Sequence, residues 1–201
     1  MQLRPKEFKS DNMLDIETDI EKVQSFIEKT GKRIGVLYES PFHILVVDLV
    51  TDRSGRQFAY ERLLKKSTKS GVVTIAKCEK KFVLIKQFRH AIRDYQYSFV
   101  RGFAEDDLSI EENAVKELTE ELGANVVSCK RVGNVIADSG ICGASVCILA
   151  CELDKINFDF GHEGICEYVL MSDKELKSAI ASGKITDGFT LAAWALLNSQ
   201  E

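Results

Sequence analysis

The sequence predicts a mixed α/β or α+β sandwich. Strand-like segments fill most of the chain, one strongly acidic helical segment interrupts them, and two further helical segments close the chain. That order is typical of layered folds in which helices and strands cover one another around a single core. The 201 residues suit one domain with a small appendage.

The bulk composition is that of a soluble globular protein, with 45% hydrophobic and 29% charged residues. The net charge of -4 argues against a nucleic-acid partner. No apolar run approaches the roughly 20 residues that span a bilayer, and the first residues, MQLRPKEFKSDNM, lack the apolar centre of a signal peptide. We therefore expect a cytoplasmic protein with neither a membrane nor a nucleic acid as partner.

The six cysteines show no C-x-x-C pair, which argues against a zinc site. Cys147 and Cys151 lie in the apolar run CILAC. Buried free thiols are expected there, and reduced cysteines agree with a cytosolic protein.

The first elements follow from hydrophobic periodicity. Ile16, Ile20, Val23 and Ile27 recur at helical spacing before Gly31, which predicts a helix over 15–30. β-Branched and alternating segments then predict strands. These segments are 34–40, 42–50, 57–66, 71–78 and 82–88.

The second half repeats the pattern of strands followed by helices. A strand is expected within 125–137, followed by a Gly-rich loop over 138–144. Further strands are predicted at 144–153 and 165–171, a helix at 173–183 that Ser172 or Asp173 caps, and a last helix at 187–198.

The acidic segment between these halves carries the clearest helix signals. Ser109 and Glu112 have the spacing of a capping box, and Gly123 stands where a C-cap glycine is expected. At about 100° per residue, one face of this helix is apolar and should meet the core. Its residues are Ala114, Val115, Leu118 and Leu122.

A second face of the same helix concentrates negative charge. Glu117, Glu120 and Glu121 fall within an arc of roughly 100°, and like charges at these spacings weaken a helix. The face is either an acidic surface or a site for a divalent cation such as Mg²⁺, which binds carboxylates together with substrate phosphates. The preceding segment is basic, as a pyrophosphate site requires. Its cationic residues are Arg89, His90, Arg93 and Arg101.

This stretch resembles the Nudix box, G-x5-E-x7-R-E-U-x-E-E-x-G-U, in which U is aliphatic. Gly102 and the run KELTEELGA at 116–124 have the matching residues and spacing, whereas Leu108 and Lys116 depart from the first glutamate and the arginine. The flanking segments VVTIAKCEKKFVLIKQFRHAIRDYQYSFVRG and GKITDGFTLAAWALL resemble the ADP-ribose pyrophosphatase-like subgroup.

The resemblance implies a Nudix fold, a mixed β-sheet sandwiched between α-helices, in a Nudix hydrolase domain over 41–201. Residues 1–40 would form an N-terminal extension of a helix and a strand that serves a homodimer. The reaction would be the Mg²⁺- or Mn²⁺-dependent hydrolysis of a nucleoside diphosphate linked to another moiety, with ADP-ribose or a related nucleotide sugar as the substrate.

The resemblance also implies a set of site residues. The metal ligands would be Glu117, Glu120, Glu121 and the carbonyl of Arg101. The substrate would contact Arg89, Arg101 and Gly102. The catalytic residues would be Glu120, Glu121 and, as general base, Glu163, with Glu167 as the second choice for the base.

Two alternatives to this function stay open at the level of sequence. The fold could serve another substrate, such as NADH, a GDP-sugar or a dinucleotide, because the box does not select the substrate. The departures at Leu108 and Lys116 also allow a catalytically weak Nudix-fold nucleotide sensor.

Overall fold

The computed structural model of the chain describes residues 14–67, 69–105, 107–159 and 164–200. Within these residues the structure contains eleven strands and four helices, and three of the strands are additional to those that the sequence predicts. The strands are β1 Leu14–Ile16, β2 Gly35–Glu39, β3 His43–Asp52, β4 Gln57–Lys65, β5 Gly71–Cys78, β6 Lys81–Arg89, β7 Asp94–Ser98, β8 Val100–Gly102, β9 Asn125–Asp138, β10 Cys142–Lys155 and β11 Ile165–Met171. The helices are α1 Ile20–Thr30, α2 Ile110–Leu122, α3 Asp173–Ala181 and α4 Gly188–Asn198.

The chain divides into two compact units, of which the first comprises the residues up to 66 together with 138–143. Its antiparallel sheet has the order β1-β3-β2, and β4 also pairs with β3. The predicted start of the first helix at residue 15 is wrong, because Leu14–Ile16 pairs with β3 as a strand. α1 begins only at Ile20, since the Asp19 side chain caps it by accepting a hydrogen bond from the Glu21 N–H.

The second unit comprises 67–137 and 144–201 and contains a mixed sheet of order β11-β6-β5-β10-β9. β5 and β10 are parallel, whereas β6 pairs antiparallel with β5 and β11. β5 and β6 pair at Lys77–Phe82 and Cys78–Lys81, beside their turn. Farther from the turn β8 pairs with β5 and β7 pairs with β6. This insertion brings Gly102 into the sheet.

Two apolar clusters cover the two faces of this sheet. The cluster beneath α2 includes Ala114, Leu118 and Leu122 with strand residues such as Val72 and Val100. The cluster beneath α3 and α4 contains Val73 and Phe99, which alternate with Val72 and Val100, together with Leu176, Ile185 and Ala193. Successive side chains of a strand point to opposite faces, so neighbouring residues serve different cores. We call the two sides the α2 face and the α3/α4 face.

One residue of the predicted helix core is placed differently. Ala114, Leu118 and Leu122 are completely buried, whereas Val115 is 39% exposed. Val115 lies about 60° from Leu118 around the helix, at the margin of the apolar arc. The expectation that Val115 joins the core is therefore wrong.

The cysteines also differ in part from the prediction. Cys147 is a buried free thiol, and burial raises its pKa. The expectation of a free thiol at Cys151 is wrong, because Cys151 of β10 forms a disulfide with Cys129 of the neighbouring strand β9. Their Cα atoms are 4.2 Å apart, the separation of residues that face each other on adjacent strands.

No helix in the described residues has both the length and the apolar character needed to cross a membrane.

Candidate active site

α2 is fixed at both ends by the interactions that its sequence predicts. The Ser109 N–H donates to Glu112 Oε2 at 2.7 Å, and the Glu112 N–H donates to Ser109 Oγ at 3.2 Å, which completes a capping box. At the other end Gly123 has a φ of 58°, and its N–H donates to the Thr119 carbonyl at 2.9 Å. A Cβ on Gly123 would also collide with the Asn157 carbonyl, so the chain requires glycine there.

The three acids of α2 differ in burial according to their angle from the core. Glu121 lies about 20° from Ala114 around the helix and is only 9% exposed. Glu117 lies about 60° from Ala114 and is half-buried, whereas Glu120, about 120° away, is exposed. The acidic face therefore runs from the edge of the core out to solvent, rather than along a fully hydrated surface.

Gly102 of β8 lies directly beneath the Glu117 carboxylate. A Cβ built on Gly102 would overlap the Glu117 Oε1, Cδ and Oε2 atoms. The absence of a side chain at Gly102 thus creates the space in which this carboxylate lies. The spacing of 15 residues between the two, which the sequence shows, is a direct contact in three dimensions.

Arg89 ends β6 on the same side of the sheet. Ile85, four residues earlier, belongs to the cluster beneath α2, so alternation directs Arg89 to the α2 face. Arg89 Nη2 donates to Ser98 Oγ at 3.3 Å, and Ser98 is the buried cross-strand partner of Ile85. A guanidinium group and the Glu117 and Glu121 carboxylates therefore lie on one face of the sheet.

Lys116 connects two carboxylates beside this face. Its Nζ lies 2.9 Å from Glu120 Oε2, one helical turn farther on, and 3.0 Å from Glu105 Oε1 in the loop before α2. Hydrogen bonds to Glu120 and then to Glu105 raise the pKa of Lys116 above its ordinary value. The lysine is therefore a permanent cation next to a predicted metal ligand.

The loop between β8 and α2 is held by a buried asparagine. Asn113 is 1% exposed, and its Oδ1 accepts a hydrogen bond of 2.8 Å from the Glu105 N–H. Its Nδ2 donates to the Ser109 carbonyl at 2.8 Å. Lys69 Nζ also donates to the Leu108 carbonyl at 2.9 Å. Glu105, Leu108 and Ser109 of the loop are thereby held by hydrogen bonds to Asn113 and Lys69.

Leu108, which stands at the glutamate position of the box, is half-buried just before α2. It lines a cavity of about 360 Å³ at the start of α2, together with Ile110, Lys69, Arg131 and Cys147.

The Arg101 side chain points to the other face of the sheet. Its Nη1 lies 3.4 Å from Oδ1 of the buried Asp187, and its guanidinium stacks over the Phe189 ring at 5.0 Å. Asp187 also caps α4 by accepting hydrogen bonds from the N–H and the hydroxyl of Thr190 at 2.9 and 2.7 Å. The side chain of Arg101 thus anchors the start of α4.

Glu167 also lies on the α3/α4 face. Val169, two residues later on β11, belongs to the cluster beneath α3 and α4, so Glu167 lies on the same face as Val169. Tyr97 donates its phenolic hydrogen to Glu167 Oε1 at 2.8 Å, and Lys86 Nζ lies 3.4 Å from the same oxygen. The Tyr97 hydrogen bond, followed by the contact with Lys86, lowers the pKa of Glu167.

The model of the NUDIX domain family matches residues 66–175, which is more than half of the chain. The chain belongs to the NUDIX family. The predicted family and the prediction of a Nudix-type pyrophosphohydrolase are thereby confirmed, which makes the chain an enzyme that hydrolyses nucleoside diphosphate compounds.

A solved structure agrees with this assignment at the level of the fold. The crystal structure of an ADP compounds hydrolase superimposes with a TM-score of 0.72 at 15% sequence identity, over 84% of this chain and 91% of that chain. The predicted Nudix fold is confirmed. No curated protein matches the chain in sequence.

The second unit brings some of the predicted site residues together and places others on opposite faces of its sheet. Gly102 and Glu117 are in contact, and Glu121 and Arg89 share the α2 face with them. The Arg101 side chain and Glu167 lie on the α3/α4 face. Glu163 lies outside the described residues. The functional roles of all these residues stay predictions.

The carboxylate oxygens of the α2 acids are ligands that suit a hard divalent cation. Among the described residues, no three His, Cys, Asp or Glu side chains are grouped as ligands of one ion. A magnesium site that substrate phosphates complete commonly uses only one or two carboxylates. Glu117 and Glu121, one turn apart on α2, supply two, and a backbone carbonyl of β8 would add a third oxygen.

Sequence reasoning missed Glu105 and Asn113 as parts of this site. Asn113 carried a signal, because asparagine inside a helix competes for backbone hydrogen bonds and is unfavourable without such a role. Glu105 carried none, since an acid in a polar loop is ordinary.

Proposed function

We propose that the protein hydrolyses the pyrophosphate bond of ADP-ribose or a related nucleotide sugar on the α2 face, with Mg²⁺ or Mn²⁺ as cofactor. The observation that carries the proposal is the Glu117 carboxylate over the bare Cα of Gly102, with Glu121 buried beside it. Two carboxylates one turn apart repel each other and weaken the helix. A cation bound between these carboxylates and the substrate would offset their repulsion.

Two similarities favour ADP-ribose as the substrate. The similar solved structure is that of an ADP compounds hydrolase, which favours an adenosine diphosphate group. The flanking segments that resemble ADP-ribose pyrophosphatases favour ADP-ribose within that class.

The proposed roles follow from chemistry that pyrophosphate cleavage requires. The bound cation would neutralise phosphate charge and make a water molecule more acidic. Glu117 and Glu121 would hold it, with Glu120 and the Arg101 carbonyl as further oxygen ligands. Arg89 would bind phosphate oxygens through its guanidinium, whose fork geometry suits them. Gly102 would let the substrate and Glu117 approach the strand.

Hydrolysis also requires a base that accepts a proton from the attacking water. We propose Glu163. Gly164, the next residue, accepts a hydrogen bond from the Phe88 N–H at 3.0 Å, and Phe88 precedes Arg89. Glu167 is the weaker candidate, because the hydrogen bond from Tyr97 lowers its pKa and makes it a poorer base.

Two matched variants test this choice. We expect Glu163→Gln to reduce turnover by at least about a hundredfold, within the range found for general bases, and Glu167→Gln to change it less than about threefold. Full turnover in Glu163→Gln would remove the assignment of the base.

A substrate panel tests the proposed function itself. ADP-ribose, NADH, GDP-mannose and a dinucleoside diphosphate are incubated with the protein, with and without Mg²⁺, and the nucleoside monophosphate released is measured. We expect release of AMP and ribose 5-phosphate from ADP-ribose only with the metal. Faster turnover of another compound would correct the substrate, and binding without any turnover would favour a nucleotide sensor.

We further propose that the protein is a cytoplasmic homodimer that forms through its first unit. α1 has an amphipathic sequence, yet none of its eleven residues is buried, and Ile20 is 73% exposed. A second copy would cover this apolar surface. Sedimentation velocity would test this proposal, since a monomer at micromolar concentration would contradict it.

A further inference from the structure

Lys116 is shared between two carboxylates at nearly equal distances, 2.9 Å from Glu120 and 3.0 Å from Glu105. The lysine side chain is 34% exposed, and those of Glu105 and Glu120 are 49% and 56% exposed. Both ion pairs are therefore accessible to water and can exchange without disturbing the core.

The position of Glu105 is set by the buried side chain of α2. Its backbone N–H donates to Asn113 Oδ1, and Asn113 is tied to the carbonyl of Ser109 at the helix start. The fixed backbone presents the Glu105 carboxylate to Lys116, which lies one turn beyond Asn113. Glu105 thus contacts α2 through its backbone and its side chain.

A lysine on a metal ligand competes with the metal. A divalent cation that binds the Glu120 carboxylate must displace Lys116, so binding costs the attraction between Glu120 and Lys116. A second carboxylate that already holds the lysine reduces that loss, because the ammonium group keeps one partner when the other is withdrawn.

We propose that Lys116 is the internal counter-ion of Glu120 and that Glu105 retains the lysine when Glu120 turns to a divalent cation. Glu105 is then a positioning residue that acts on the metal site only through Lys116. The inference rests on the proposed function, since it takes Glu120 to be a metal ligand.

The proposal predicts opposite effects for the two partners of the pair. Lys116→Met removes the competitor and should tighten Mn²⁺ binding about threefold, the size expected of one exposed ion pair. Glu105→Gln leaves Lys116 with Glu120 alone and should weaken Mn²⁺ binding by a similar factor. In the double variant Glu105→Gln/Lys116→Met, affinity should equal that of Lys116→Met alone, because Glu105 has no lysine left to act on.

The experiment is a Mn²⁺ titration of the metal-free full-length protein, in which the electron paramagnetic resonance signal of free Mn²⁺ reports binding without any turnover. Glu111→Gln and Lys174→Met are the matched controls, since each removes the same charge from an exposed helix position. Both should change the affinity less than about 1.5-fold. Thermal unfolding midpoints within about 2 °C of the parent would show that no variant acts through the fold.

Two results would overturn the proposal. Weaker binding in Lys116→Met would mean that the lysine supports the site instead of competing with the metal. An equal loss on Glu105→Gln with and without Lys116 would mean that Glu105 acts by its charge alone. If the parent protein bound no Mn²⁺, the metal-dependent function would fail together with this inference, whereas contrary variants of a protein that binds Mn²⁺ would remove this inference alone.

Discussion

Neighbouring residues of the short strand β8 have different roles on the two faces of the mixed sheet. Gly102 of β8 leaves space on the α2 face for the Glu117 carboxylate. Arg101, one residue earlier, crosses to the α3/α4 face and pairs with Asp187 at the start of α4. Because strand side chains alternate, a shift of a single residue decides whether a group serves the site or the fold.

The faces also differ in how their charges are arranged. On the α3/α4 face Asp187 is neutralised by Arg101 and bonded by Thr190, and Glu167 is bonded by Tyr97 and Lys86. On the α2 face the helix brings Glu117 and Glu121 together although they repel each other. A helix with like charges one turn apart is expected where function, rather than stability, selects the residues.

Of the changes that compare the two faces, Gly102→Ala on the α2 face is expected to have the largest effect. The new methyl group would push the Glu117 carboxylate aside, because the space it needs is already filled. We expect turnover to fall about a hundredfold, equivalent to about 2.7 kcal/mol of transition-state free energy. The free energy of unfolding should fall by only about 1 kcal/mol, since the end of a side chain can move away.

Gly188→Ala is the matched control for this change. A Cβ at Gly188, the first residue of α4, meets nothing within 4 Å. Its turnover should equal that of the parent. Equal turnover in Gly102→Ala, measured by AMP release, would show that the position of Glu117 does not matter for the reaction.

A smaller effect is expected on the opposite face, from Arg101→Met. Loss of the guanidinium leaves the buried Asp187 carboxylate without its cation, which should lower the free energy of unfolding by about 2 kcal/mol. Urea denaturation measures that loss. KM should rise less than about threefold, which is far below the cost of removing a charged hydrogen bond to a bound phosphate. A tenfold rise in KM would instead support the contact between Arg101 and the substrate that the resemblance implies.

The smallest effect is expected from Tyr97→Phe, which removes one hydrogen bond to Glu167. The pKa of Glu167 should rise toward its ordinary value, because that hydrogen bond is the main cause of its lowered pKa. A lowered folded-state pKa stabilises the protein above the ordinary carboxyl pKa, and that stabilisation is lost as the pH falls through the lowered value. The variant should therefore lose less stability on acidification.

An NMR titration of the Glu167 carboxyl carbon measures this pKa directly. An unchanged titration curve in Tyr97→Phe would mean that Lys86 alone holds the Glu167 charge. Turnover at neutral pH should not change, because the contact lies on the α3/α4 face.

The sequence predicts the elements whose signals are local. α2 has the predicted capping box and C-terminal glycine, and β5 and β11 have the predicted bounds. Ser109 and Glu112 act within the first turn of α2 and Gly123 acts within the last, so local spacing alone determines their geometry.

The errors concern interactions between elements distant in sequence. The pairing of Cys129 with Cys151 depends on the register of β9 against β10, which no local pattern gives. The direction of the Arg101 side chain was not predicted, since it depends on the insertion of β8 beside β5. The predicted start of α1 is wrong for the same reason, since Leu14–Ile16 pairs with the distant strand β3 although Ile16 suits the helical period.

Glu121 is the buried acid of the proposed metal site, so the decisive measurement is Mg²⁺-dependent hydrolysis by Glu121→Gln. The change removes a charge and keeps the shape of the side chain. With ADP-ribose, or the panel compound turned over fastest, we expect turnover to fall at least about a thousandfold, the scale set by losing a group that binds transition-state charge. The unfolding midpoint should stay level or rise slightly, because one repulsion on α2 is relieved. Unchanged turnover in this variant would contradict a metal-dependent site on the α2 face.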